Sequence, residues 1–479
     1  MRVKSSPAAL LTSLLVLFSL LLSACTGAVP AAAPSAGTEA AADAAPTDAA
    51  ASGTSADAAG GPVELKYALW DSLQLPPYQE CANQFMAKNP NIKIDIQQLG
   101  WGDYWTSLQT NMVTGGAPDV YTNYIGQVPE YLSKGQIVDI QPLIERDAVP
   151  LDVYIPKLAD LWVRDGKRFG LPKDWDTVAV VYNEEMLKKA GIDPAIMETW
   201  TWNPQDGGTF EETIAKLTID ANGNNGLSPD FDKNNVVQYG FIPQGSGGSI
   251  GNTQWSHWAY SNGFRFQDAP WSSEYHYDSP KLAETLAWYR SLWLDKGYAP
   301  SIAEVTSLGP QALMQAGKGA MTTDGSWQVS TYAGSDQKFG YGQMPIGPEG
   351  MRRTVTNSLA DSIWTGTKHL EEAWQWVKYL ASPECQLIVG KSGVVFPATP
   401  EGVQEVLKLR QSQGIDVSAF FKMAETPGVT FNNPVADNFT DVTNVISTVM
   451  DQIMLGEAQD VQAALKAAND EVNSLNSQQ

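Results

Sequence analysis

Ordered alternation of apolar and polar positions begins at Val63. Val63, Leu65, Tyr67 and Leu69 fall on one side of an extended chain, the spacing of a half-buried strand. A helical pattern follows around Tyr78 to Lys88, and Asn89-Pro90 stops it. Ile92, Ile94 and Ile96 alternate as a second strand. Trp105, Leu108 and Met112 share one face of a helix over about Asp103 to Val113. Gly115 to Pro118 makes a turn, and Asp119 to Tyr124 reads as a third strand. Strand, helix, strand, helix, strand predicts an α/β architecture with a parallel sheet. The alternation continues with strands at Thr177 to Tyr182, Val236 to Ile242 and Gly319 to Thr323. Helical patterns cover Pro280 to Lys296, Leu370 to Ala381 and Gln459 to Leu475. No repeat of a solenoid or propeller is present.

The N-terminus follows different rules. Arg2 and Lys4 precede an apolar run from Leu10 to Leu22, too short to span a membrane comfortably and shaped like a secretion signal. It ends in Leu22-Ser23-Ala24-Cys25, which resembles the bacterial lipobox, so Cys25 is the expected lipidation site. Thr26 to Pro62 contains Ala, Pro, Gly, Ser, Thr and acids, with no aromatic side chain and no Lys or Arg. Such a segment buries too little apolar surface to offset its ordering entropy and reads as a disordered tether.

Length and charge narrow the class. With 479 residues, more than one lobe is expected. A net charge of −22 argues against nucleic acid, whose phosphates need clustered bases. Cys81 and Cys385 are the cysteines left after Cys25, and sequence leaves open a disulfide or two free thiols. With three His residues and no CxxC pair, no zinc site is expected.

Several segments resemble the extracellular solute-binding proteins of carbohydrate ABC importers, the family that includes maltose-binding protein. Gly116-Ala117-Pro118-Asp119-Val120 is similar to the family's turn into a strand. Gly170-Leu171-Pro172 followed by Thr177 to Asn183 is similar to its first crossover. Gly317 to Met321 followed by Gly325-Ser326-Trp327, the helix from Glu372 to Leu380, and Gly393 to Pro397 complete the series in the family's order. The resemblance implies two α/β lobes joined by crossing strands, the type II periplasmic-binding-protein fold, with a ligand in the cleft between them. It places crossovers near Lys173 to Thr177, Leu359 to Trp364 and Val395 to Thr399. On this reading residues 1–25 are the signal peptide and 26–62 the tether. Residues 63–175 with 363–396 form the first lobe, and 176–362 with 397–479 the second. The implied function is capture of a mono- or oligosaccharide and its delivery to an ABC permease. The protein would be a monomer anchored outside the cytoplasm through Cys25.

A sugar offers C–H faces to aromatic rings and hydroxyls to polar groups, so its site needs both. The chain has 16 Trp and 17 Tyr. Trp288, Trp293, Trp374 and Trp376 lie within helical patterns and are expected in the core. Trp70 and Asp71 end the first strand, Trp101 follows the second, and Asn123 and Tyr124 end the third. Ligands of open α/β sheets sit at such carboxyl ends. Trp175 and Asp176 lie in the first crossover, Asp324 and Trp327 at the family-like G-x-W segment, and Asp361 in the second crossover. Trp255 and Trp258, three apart in Asn252 to Gly263, are expected on a helix bordering the cleft.

Asp220, Asn222 and Asn224 begin like a calcium loop, but Asn225 and Phe231 stand where that loop needs Gly and Glu. An Asn/Gly-rich loop is the preferred reading, and a structural calcium the alternative; no other cofactor is expected. A secreted glycoside hydrolase or a surface lectin would also show aromatic-lined acids, but no catalytic motif is present. A polyamine or another solute is the alternative cargo for an importer receptor.

Overall fold

The computed structural model describes residues 61–437 and 439–476. The signal peptide, Cys25 and the tether up to residue 60 lie outside them. Strand β1 (Val63–Leu69) pairs in parallel with β2 (Ile92–Gln98) and with β3 (Val120–Tyr124). Helix α1 (Leu75–Lys88) returns the chain from β1 to β2, and α2 (Trp101–Thr114) from β2 to β3. Both helices begin earlier than the pattern predicts. α1 starts ahead of Pro76 and Pro77, which suit a first turn because the missing N–H has no helical partner there.

Two long strands organise the remainder. β4 (Leu171–Asn183) extends well before the apolar run at Thr177. Its first half pairs antiparallel with β8 (Thr354–Ile363), which itself lies against β3. Its second half pairs with β6 (Gly319–Gly325) and with β7 (Phe339–Gly342). β5 (Val236–Ile242) runs parallel to β6 at the far side. The sheet order is therefore β2-β1-β3-β8-β4-β6-β5, with β4 shared by the two halves. A register shift between Leu359 and Ala360 leaves Lys173 of β4 without an opposite residue, a β-bulge at the point where the halves meet. Side chains stitch the shared strands: Thr177 Oγ1 donates to the Val355 carbonyl and Thr354 Oγ1 to the Val178 carbonyl, each at 2.7 Å.

The core joins the faces of these strands to the surrounding helices. Trp288, Trp374 and Trp376 are buried, as their helical positions predict. Cys81 of α1 and Cys385 of the helix Pro383–Ser392 form a disulfide, with their Cα atoms 5.4 Å apart. This settles the pairing left open above. Helix Pro400–Ser412 follows, and Gly390 and Gly402 allow the two helices to approach; a Cβ on Gly390 would lie 2.3 Å from the Gly402 carbonyl oxygen. The C-terminal helices Phe439–Met454 and Val461–Asn476 belong with Pro280–Leu294, where Trp293 donates to the Met454 carbonyl at 2.9 Å.

Asp220 closes its own loop. Its carboxylate accepts the backbone N–H groups of Asn222, Asn224 and Asp232 at 2.8–2.9 Å. Among the described residues no three His, Cys, Asp or Glu side chains are grouped to hold a metal ion.

Candidate functional site

A cavity of about 720 Å³ opens where β1, β2, β3 and β6 end and β4 and β8 pass. Six of the residues expected from sequence line it together with Asp71: Trp70, Trp101, Tyr124, Trp175, Asp176 and Trp327. Each is placed by a strand end or by the shared strand itself, so the sheet fixes the wall.

Trp70 and Trp101 meet edge to face, with ring centroids 5.0 Å apart, and Trp101 lies 6.1 Å from Tyr124. Trp101 is 52% exposed, a large ring left facing the opening. Trp175 is buried against Phe396 and Phe421. Trp327 folds back over the end of β6. A Cβ on Gly325 would stand 2.2 Å from its ring, so the glycine in this G-x-W segment is what permits the ring to lie there.

Asp176 begins a chain of polar side chains that sequence reading missed. Asn357 Nδ2 donates to Asp176 Oδ1 at 2.8 Å, Asn433 Nδ2 donates to Asn357 Oδ1 at 2.7 Å, and Asn433 also donates to the Tyr124 hydroxyl. Burial pushes the Asp176 carboxyl up to about 7, and the Asn357 amide pulls in the other direction. Asp71 holds the entry to α1, accepting the Leu73 N–H at 2.9 Å and the Gln74 amide at 3.1 Å. Asn252 also lines the cavity, as do Asp174 and Asn357. No sequence signal separated Asn357 or Asn433 from other loop and strand amides.

The remaining expected residues lie elsewhere. Trp255 and Trp258 are in the core, not on the cavity wall: both are fully buried, and Trp258 packs 5.2 Å from Trp288. Trp258 lies on the short, fully buried helix Ser256–Ser261 and Trp255 just ahead of it, and Asn252 further upstream lines the cavity instead. Asn123 is buried on the opposite side of β3 from the cavity-lining Tyr124, with its amide bonded to Ser362 Oγ at 3.2 Å, because strand neighbours alternate. Asp324 is also buried. Its carboxylate accepts from Tyr332, Gln311, Gln244 and the Gly325 N–H, and it is not among the residues lining the cavity. Burial pushes that carboxyl up to about 6. Asp361 accepts from Tyr67 at 2.9 Å and Thr122 at 3.0 Å and pairs with the Lys173 ammonium at 3.4 Å. It is a partner for a buried cation behind the wall.

Two halves sharing crossing strands, with an aromatic and acidic cavity at their junction, define a binding protein of the two-lobed periplasmic type. The chain belongs to the bacterial extracellular solute-binding protein family, whose pattern matches residues 80–408. It is similar to a putative binding protein of Brucella abortus, 23% identical over 84% of this chain and 90% of the relative. A maltodextrin-binding protein of Bacillus subtilis is 22% identical over 83% of this chain and 86% of its own. Among solved structures, an ABC substrate-binding protein of Listeria monocytogenes in complex with cycloalternan superimposes with a TM-score of 0.74. It is 22% identical and covers 86% of this chain and 99% of that one. No described helix is long and apolar enough to cross a membrane.

Proposed function

We propose that this protein captures a saccharide in the cavity between its lobes and hands it to the membrane subunits of an ABC importer, without altering it chemically. The observation that carries this reading is the cavity wall: stacking faces from Trp70, Trp101 and Trp327 beside the acceptors of Asp176 and Asn357. Carbohydrate needs both kinds of surface in one place. The maltodextrin and cycloalternan binders among its relatives support the same reading. The shared strands β4 and β8 would act as the hinge, and closure of the two halves over the ligand is the motion that fits them.

The experiment is a thermal-shift screen of the purified protein against neutral mono- and oligosaccharides, with incubation products analysed in parallel. A ligand at a hundredfold excess over its Kd raises stability by about 2.7 kcal/mol. A shift with a saccharide recovered intact supports the receptor. Cleaved saccharide would replace the receptor with a hydrolase, and no shift with any saccharide would remove the sugar.

The anchor at Cys25 belongs to the same proposal. Cys25→Ser should move the protein from the membrane fraction to the soluble fraction, and retention in the membrane would exclude lipid attachment there.

A further inference from the structure

One wall of the cavity carries two neighbouring acids and no base. Lys173 lies in the bulge of β4, and its ammonium donates to the Tyr67 hydroxyl at 2.8 Å and Thr122 Oγ1 at 2.9 Å while pairing with Asp361. That cation and that anion neutralise each other behind the wall. Asp174 and Asp176 line the cavity itself, and none of the side chains that line it is basic. Asp174 is 1% exposed, and neither of its carboxylate oxygens accepts a hydrogen bond of normal geometry. The groups facing it are the Lys173 ammonium, the Asp176 and Asp361 carboxyls, the Leu359 backbone N–H and the Tyr78 hydroxyl. Buried polar groups in folded proteins are nearly always paired. A buried carboxylate without a partner is destabilising.

We propose that Asp174 and Asp176 form a cation-binding subsite, and that the ligand is a saccharide bearing a protonated amino group. This rests on the saccharide reading above and specifies which saccharides. A neutral hydroxyl satisfies an acceptor but brings no charge to a poorly solvated wall of two neighbouring acids. An ammonium can make a charge-assisted hydrogen bond to Asp176 and place its charge next to Asp174, whose oxygens are buried just behind. The rings of Trp70, Trp101 and Trp327 serve both parts of such a ligand, stacking on its C–H faces and attracting its positive charge. Burial pushes both carboxyls up, and an ammonium beside them pulls in the other direction.

The test is isothermal titration of the full-length protein with three matched probes: a glucosamine oligosaccharide, its N-acetylated counterpart and a gluco-oligosaccharide of equal length. Putrescine serves as a cation without a sugar. The free-amine sugar is expected to bind roughly tenfold more tightly than either neutral form, as a buried charge-assisted contact implies. Its binding enthalpy should change with the ionisation enthalpy of the buffer, reporting proton release. Asp174→Asn should remove most of that preference for the free amine over its N-acetylated counterpart. Equal or tighter binding of a neutral sugar would overturn the amine subsite and leave the saccharide reading standing. A preference that survives in both Asp174→Asn and Asp176→Asn would overturn it as well. Putrescine binding without any saccharide, or no binding by any probe, would overturn both readings.

Discussion

Trp101 and Trp258 carry the same ring in opposite circumstances. Trp101 is 52% exposed at the mouth of the cavity, while Trp258 is 1% exposed among Trp202, Phe210 and Trp288. Trp101 follows the carboxyl end of a strand; Trp258 sits on a short inward-facing helix. Place in the topology, more than residue type, decides whether a tryptophan supports the fold or is offered to a ligand. A single exposed ring would say little by itself; Trp101 points to function because it lines the cavity with Trp70 and Tyr124.

Substitutions should separate the two sets. The largest effect is expected at the core. Trp258→Ala should destabilise the protein by about 3–5 kcal/mol, the usual cost of emptying a buried aromatic site. Denaturant unfolding would read that loss, and ligand Kd measured on the remaining folded protein should stay near its original value. Trp327→Ala should do the reverse. It should weaken saccharide binding by roughly 1–3 kcal/mol, the worth of one buried large apolar side chain, with little change in Tm. Loss of stability without loss of affinity at Trp327 would place it with the core set.

The smallest effect concerns Asp176 and pH. Its carboxyl is raised to about 7 by burial, so the native state holds its proton more tightly than the unfolded chain does. The stability that this group contributes is complete below the unfolded carboxylate range near about 4 and is lost as pH rises toward 7. Tm of the ligand-free protein should therefore fall over that window. Asp176→Asn should flatten the fall, and an unchanged profile would mean that other buried acids, such as Asp324, carry it.

Much of the fold was legible because strands and helices differ in apolar period. β1, β2, β3 and β5 follow alternation or compact apolar runs, and their limits shift by a residue or two. The first half of β4 was not legible from the apolar pattern, and only the family resemblance placed a crossing segment there. Leu171-Pro172-Lys173-Asp174-Trp175-Asp176 contains a proline and three charges, because its side chains face a cavity and a buried ion pair, not a uniform core. The helix Phe439–Met454 also went unnoticed, although its buried positions follow a helical spacing. In the site, residues that follow strand ends could be chosen from sequence. Those that depend on distant pairings could not: Asn433 meets Asn357 across a separation of 76 residues, and the bulge at Lys173 lies opposite β8. Asp361 and Asp324 had the right residue type and the right segment. Their partners Lys173 and Tyr332 engage them within the core.

The disulfide between Cys81 and Cys385 closes a covalent ring across a sequence separation of 304 residues. Every strand from β2 to β8 lies on that ring, while β1 and both C-terminal helices hang from it. A protease that cuts a single loop on the ring therefore makes two chains without setting either free. The nicked molecule keeps its mass, and its halves part only on a reducing gel. For a protein whose family works outside the cell, among proteases and oxidants, one bond between two buried sulfurs makes the first cut survivable.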